Sequence, residues 1–200
     1  MTSLRNIICS GILLLAITGC EKYEEFGFTS LEFPFSQVED IDRIAAFGIP
    51  NWSDTEPHNG IDLIVNQNLE KSMVISPVKG TVKSIRMSEN PYSNPVNQLI
   101  LTVEIYVNKE WTVNLVIEPS AGDEATKTTQ RNALRVNEGD VVDAWQEIGD
   151  LIVGEYGYAH LHFMVLKNDD PVCAYDYSSD QAKELYENIA ERNDSEICIN

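Results

Sequence analysis

The chain has 200 residues, with 14 lysines and arginines against 32 aspartates and glutamates, three histidines, and a formal net charge of −18 at pH 7. That length allows one domain, or one domain with an appendage, and is enough to bury a proper core. So negative a field repels nucleic acid and other anionic polymers, which disfavours a nucleic-acid partner, and it keeps the chain soluble.

At the N-terminus, Arg5 gives a positive start, residues 7–17 form an apolar run, and Thr18-Gly19-Cys20 closes it. The run is too short for a permanent bilayer span and has the layout of a secretory signal. It resembles a bacterial lipoprotein signal, which implies that residues 1–19 are a signal peptide cleaved before Cys20 and that the Cys20 thiol carries the lipid that anchors the chain to a membrane. Glu21, not Asp, follows Cys20; by the same resemblance this points to the outer membrane, with the domain facing the periplasm. An ordinary signal peptide or a short buried helix is the alternative. Residues 20–45 mix acids with Phe26, Phe28, Phe33 and Phe35. They read as a linker that becomes ordered as it meets the domain.

A mainly β domain is expected over 46–172. Runs rich in Val, Ile, Leu, Thr and Tyr fall at 61–65, 73–75, 80–85, 98–107, 111–117, 140–145, 148–153 and 161–166, punctuated by Gly, Pro, Asn and Asp. Many short strands at close spacing predict an all-β barrel or sandwich. Asn108-Lys109 suggests a tight hairpin between the two longest strands. Residues 121–132 are polar and Thr-rich and read as a surface excursion. In the last segment, 173–200, Ser179 is placed to cap a helix running through Leu185 and Ile189, whose shared face would dock on the β domain. Of the four cysteines, Cys9 leaves with the signal and Cys20 takes lipid. Export would put Cys173 and Cys198 in an oxidising compartment, where a disulfide clamping the C-terminal segment is expected; two buried thiols are the alternative.

The three histidines occupy two motifs, His58-Asn59-Gly60-Ile61-Asp62 and His160-Leu161-His162. Histidine is the commonest metal ligand and Asp is a competent oxygen ligand. In a strand, His160 and His162 project to one face. Asn59-Gly60 supplies a turn that can bring His58 beside Asp62, at the start of the next strand. Two imidazoles and a carboxylate would leave an open position for water, the mark of a catalytic zinc site.

These motifs, with their neighbours, resemble the lysostaphin-like (LytM-type) zinc endopeptidases that cut peptide cross-links in bacterial cell walls. Phe47-Gly48, His58-x-Gly60-x-Asp62, Ser76-Pro77-Val78-Lys79-Gly80-Thr81-Val82, Val136-Asn137-Glu138-Gly139-Asp140-Val141-Val142 with Ile148-Gly149, and His160-Leu161-His162-Phe163 follow that family's order. The resemblance covers about residues 47–166. It implies a LytM-type barrel-sandwich domain (duplicated hybrid motif) with a C-terminal helix, and one Zn2+ held by His58, Asp62 and His162. His160 would be the catalytic imidazole beside the ion, and the substrate would be the peptide cross-links of peptidoglycan.

Two positions depart from the family. Its middle histidine, after the central strand and before a Leu-Ser pair, has no counterpart in Asn114-Leu115-Val116-Ile117-Glu118-Pro119-Ser120. Glu118 falls near the vacant place. It is read first as an exposed acid at a strand end, with a base or an outer partner to the site as the alternative. Met164 stands where the family commonly has an acid. Because relatives of this fold also act as non-catalytic modules, the second reading is a weak or inactive module that binds cell wall or regulates a partner hydrolase.

Overall fold

The computed structural model describes residues 23–50, 56–90 and 98–199. The signal-like segment 1–19 and Cys20 lie outside the described residues. In chain order the elements are β1 (Ile41–Ala45), β2 (Ile61–Val65), β3 (Lys71–Ile75), β4 (Gly80–Asn90), β5 (Gln98–Tyr106), β6 (Trp111–Glu118), α1 (Glu124–Asn132), β7 (Val141–Val142), β8 (Glu147–Ile152), β9 (His160–Lys167), β10 (Asp170–Val172) and α2 (Asp180–Asn193). The fold is mainly β with a C-terminal helix, as the sequence predicts. Eight strands form one antiparallel sheet in the order β1-β2-β9-β6-β5-β4-β7, with β10 on the far end of β9, and β3 pairs with β8 in a separate ribbon.

Period-two alternation decides which side chains meet the core. On β9, Leu161, Phe163 and Val165 are buried, while His160, His162 and Met164 are only partly covered on the opposite face. On β2, Ile61, Leu63 and Val65 point inward with them, which turns Asp62 and Ile64 to the face that carries the histidines. The core behind the site is therefore apolar and fixed. The expected hairpin at Asn108-Lys109 is present: the Asn108 side chain accepts from the amides of Glu110 and Trp111, closing the loop between β5 and β6.

Three sequence expectations need correction. The stretch read as a linker is built into the core from Leu31 onward: Leu31, Phe33 and Phe35 are buried, and Phe33 meets the Tyr186 ring edge-on at 5.0 Å. Apolar aromatics of this size do not stay in a solvated linker when a core face is in reach. Residues 121–132 are not an open excursion, because 124–132 form α1, capped by the Asp123 carboxylate accepting from Thr126 N at 2.8 Å. The strand expected at 140–145 shortens to Val141–Val142, because residues 143–146 turn back on themselves. Gln146 N donates to Asp143 O, Asp143 N donates to the Gln146 side chain, and Trp145 has φ +71°.

α2 starts as predicted, with Ser179 Oγ accepting from Ala182 N. It buries Ala182, Tyr186, Ile189 and Ala190, and packs on β1. Beyond it the chain returns as a strap along the segment that leads to the histidine motif. Phe47 N donates to Ile197 O at 3.0 Å and Ile199 N donates to Phe47 O at 2.9 Å. Cys198 on this strap is joined to Cys173 by a disulfide, the pairing the sequence suggested. No helix among the described residues is long and apolar enough to cross a membrane.

Candidate metal centre and active site

Backbone packing delivers His58 to the site. Gly48, at φ +82°, passes so close to the strap that a Cβ would stand 2.1 Å from the Ile199 carbonyl, so only glycine fits. From there, Gly48 N donates to His58 O at 2.8 Å and His58 N donates to Ile49 O at 3.0 Å. His58 is thereby pinned to the backbone of residues 48 and 49 and is 1% exposed. Gly60 answers a second steric demand: a Cβ there would lie 2.6–2.7 Å from the His162 ring. The glycine between His58 and Asp62 is the space into which His162 packs.

Register does the rest. Asp62 pairs with His162 across β2 and β9, so the two side chains share a face at adjacent positions. His162 Nδ1 lies 2.7 Å from Asp62 Oδ1; His58 Nε2 lies 3.1 Å from that oxygen and 3.2 Å from His162 Nδ1. Three potential ligand atoms thus form one small triangle.

The outer hydrogen bonds of the two rings say what belongs inside it. His58 Nδ1 lies 2.6 Å from the Ala46 carbonyl. A carbonyl can only accept, so Nδ1 carries the hydrogen and Nε2 turns a lone pair inward in the neutral ring. His162 Nε2 donates to Asn59 Oδ1 at 3.1 Å, which likewise leaves Nδ1 as an inward lone pair. Two imidazole lone pairs and a carboxylate oxygen therefore face one another. That arrangement requires a cation, or an extra proton, at its centre. The separations approach the roughly 3.3 Å edge of a tetrahedron with bonds of about 2.0–2.1 Å, so the residues present fit a zinc-type centre. His58, Asp62 and His162 are the residues that can hold such an ion.

The electrostatics agree. Burial opposes ionisation of Asp62, yet the hydrogen bonds with His162 and His58 outweigh it and hold the carboxyl far below the ordinary carboxylate range. Burial also opposes charge on His58, but the Asp62 hydrogen bond and charge raise it above the usual imidazole value. Both shifts record one fact: the pocket prefers positive charge.

His160 and Glu118 sit one row away, paired across β6 and β9. His160 Nδ1–H donates to the Tyr158 carbonyl at 2.7 Å, so Nε2 is the basic nitrogen. It points between Asp62 Oδ2 at 3.9 Å and Glu118 Oε1 at 3.7 Å. Glu118 is not the exposed acid first expected. Its side chain is only 19% exposed. Burial, reinforced by the charge of Asp62 and opposed by His160, raises its pKa above the ordinary carboxylate value. Its pairing with His160 across β6 and β9, at the last residue of β6, puts the acid on the groove side of the sheet. These groups line an open groove of about 770 Å³ that continues past Tyr158 and the C-terminal strap. Met164, two residues beyond His162 on the same strand face, is not among the residues lining that groove.

All four predicted site residues, His58, Asp62, His160 and His162, therefore meet at one place. Sequence reasoning missed three supports. Asn59 was read only as a turn former, and its contact with His162 depends on a strand a hundred residues away. The Ala46 and Tyr158 carbonyls carry no sequence signal. A second cluster, Cys173, Asp176 and Cys198, has ligand-like spacing, but its thiols are consumed by the disulfide.

No family model matches the chain, and no curated protein does. Solved structures do. Helicobacter pylori Csd3 in a hexagonal crystal is 24% identical over 81% of this chain and 38% of that one, with a TM-score of 0.47. A zinc containing peptidase from Vibrio cholerae is 21% identical over 72% of this chain and 38% of that one, with a TM-score of 0.44. The chain spans under two fifths of the length of each of these neighbours.

Proposed function

We propose that this chain is a zinc-dependent endopeptidase of the LytM type that hydrolyses peptide cross-links of bacterial peptidoglycan. In this reading it is tethered by a lipid on Cys20 and faces the periplasm from the outer membrane. The observation that carries the reading is the inward-facing triangle of His58 Nε2, Asp62 Oδ1 and His162 Nδ1 at the edge of an open groove, with the basic nitrogen of His160 beside it. A bound zinc there would polarise the scissile carbonyl and acidify a water.

The chain's own groups divide the remaining work. Asp62 supplies negative charge that offsets the ion, and the Ala46 and Asn59 oxygens fix the tautomers of the two ligating rings. His160 can take a proton at Nε2 from an attacking water and pass it to the leaving amine. Glu118, 3.7 Å from that nitrogen, stabilises the imidazolium in between. One carboxylate thus takes the place of a second imidazole.

That same substitution favours the second reading, because no histidine stands on β6. Incubation of the zinc-loaded protein with purified peptidoglycan separates the two. Release of peptides cut within the cross-link supports the enzyme. Bound zinc with wall binding and no released peptide assigns the chain to the binding or regulatory modules.

A further inference from the structure

The wall of the groove opposite Glu118 carries one arginine. Arg43 on β1 pairs with Ile64 on β2, Ile64 with His160 on β9, and His160 with Glu118 on β6. Four side chains thus form a single row across four strands, on the face that holds Asp62 and His162. Neighbouring strands lie about 4.8 Å apart, so Arg43 stands roughly 10 Å from His160 along that row.

Two features set this arginine apart. Its guanidinium carbon lies 4.8 Å from the centroid of the Tyr158 ring, whose own carbonyl accepts from His160. This cation–π contact holds the guanidinium over the ring, and none of its N–H groups donates to another described residue. Second, among the described residues Arg43 has neither a carboxylate within ion-pair distance nor a hydrogen-bond partner, whereas Arg86 and Arg135 are ion-paired and Arg131 and Arg192 donate to the Met87 sulfur and to the Asn188 and Ile41 carbonyls. Among the described residues, an arginine with no carboxylate and no hydrogen bond, held over a ring and lining the groove of the candidate centre, has donors that a ligand can satisfy.

We propose that Arg43 is a specificity residue that binds a carboxylate of the peptide substrate, about two strand spacings from the scissile bond. The inference rests on the peptidase reading and adds the substrate class: a peptide with a free carboxylate on the β1 side, either an α-carboxylate or an acidic side chain. A carboxylate matches the planar fork bidentately. The groove's acids outside the metal centre, Glu118 and Glu196, repel such a group, so Arg43 also fixes which way the peptide lies.

The test separates this from the activity itself. Binding of a synthetic cross-linked peptide is measured by calorimetry on the zinc-loaded full chain carrying His160→Ala, so that turnover does not interfere. Three peptide forms are used: unmodified, amidated at its C-terminus, and with its acidic side chain as the amide. The expected result is a loss of about five- to tenfold for one amidated form and none for the other, which names the carboxylate. Adding Arg43→Gln should lower affinity for the unmodified peptide to that of the sensitive amide and erase the difference between them. Arg43→Lys should keep part of it. Zinc content and circular dichroism check that each variant is folded. Equal affinity for all three forms, a preference that survives Arg43→Gln, or no binding of any form overturns the proposal. Failure of the peptidase reading shows separately, as intact peptidoglycan with the native chain.

Discussion

The two halves of the candidate site are built to different tolerances. His58, Asp62 and His162 are buried or nearly so, lie within 3.2 Å of one another at their facing atoms, and have the outer nitrogen of each ring tied to an oxygen. His160 and Glu118 are each about a fifth exposed, stand 3.7 Å apart, and only His160 has a fixed outer contact. A cation site gains from rigidity because ligands held in place need not be reordered on binding. A proton-transfer pair must be reached by substrate, and its contacts tighten only when the groove is filled. In the peptidase reading the difference is a division of labour: one half would hold the ion, and the other would meet the peptide.

Removing a member of the tight half should therefore have the largest effect. His162→Ala deletes one of three donors and should lower zinc affinity by more than about a hundredfold, since even outer partners of ligands cost 10–100-fold. Zinc content after dialysis, read by atomic absorption, checks it; a full equivalent retained would break the assignment. Next, His160→Ala should leave zinc content unchanged and reduce peptide hydrolysis by on the order of 10²–10⁴. Zinc loss in that variant would erase the distinction between the halves. Smaller again, Asn59→Ala removes the oxygen that orients His162 and should weaken zinc by about 10–100-fold while leaving the fold intact. A zinc chelator titration measures the shift.

Much of the tight half was legible in the sequence, for a physical reason. A strand has period two, so His160 and His162 had to share a face, and a turn at Asn59-Gly60 was the short route from His58 to Asp62. What stayed hidden depended on register or on polar packing. α1 carries no apolar stripe: its buried positions are Lys127 and Gln130. The Gln130 amide is held by the β8 backbone, donating to Asp150 O and accepting from Ile152 N. A helix docked through one amide gives no periodic signal. Glu118 looked like a strand-end acid because nothing local says that β6 lies beside β9. The row from Arg43 to Glu118 joins four segments spread over more than a hundred residues, and only the paired strands reveal it.

The looser half allows a pH test with a definite sign. Burial raises the pKa of Glu118 in the metal-free protein, with the charge of Asp62 adding and that of His160 opposing. A carboxyl with a higher pKa folded than unfolded binds its proton more tightly in the native state. Its contribution to stability is fully present below the unfolded carboxylate value, near pH 4.3, and is lost as pH rises through the folded value. Glu118→Gln cannot ionise and so keeps that contribution at every pH. The metal-free variant should match wild type at about pH 4 and melt a few degrees higher at pH 7, by thermal unfolding followed with circular dichroism. Its hydrolysis rate should fall even as its stability rises, because the imidazolium of His160 loses its counter-charge. A variant equal to wild type in both melting and rate would return Glu118 to the surface and leave His160 to work alone.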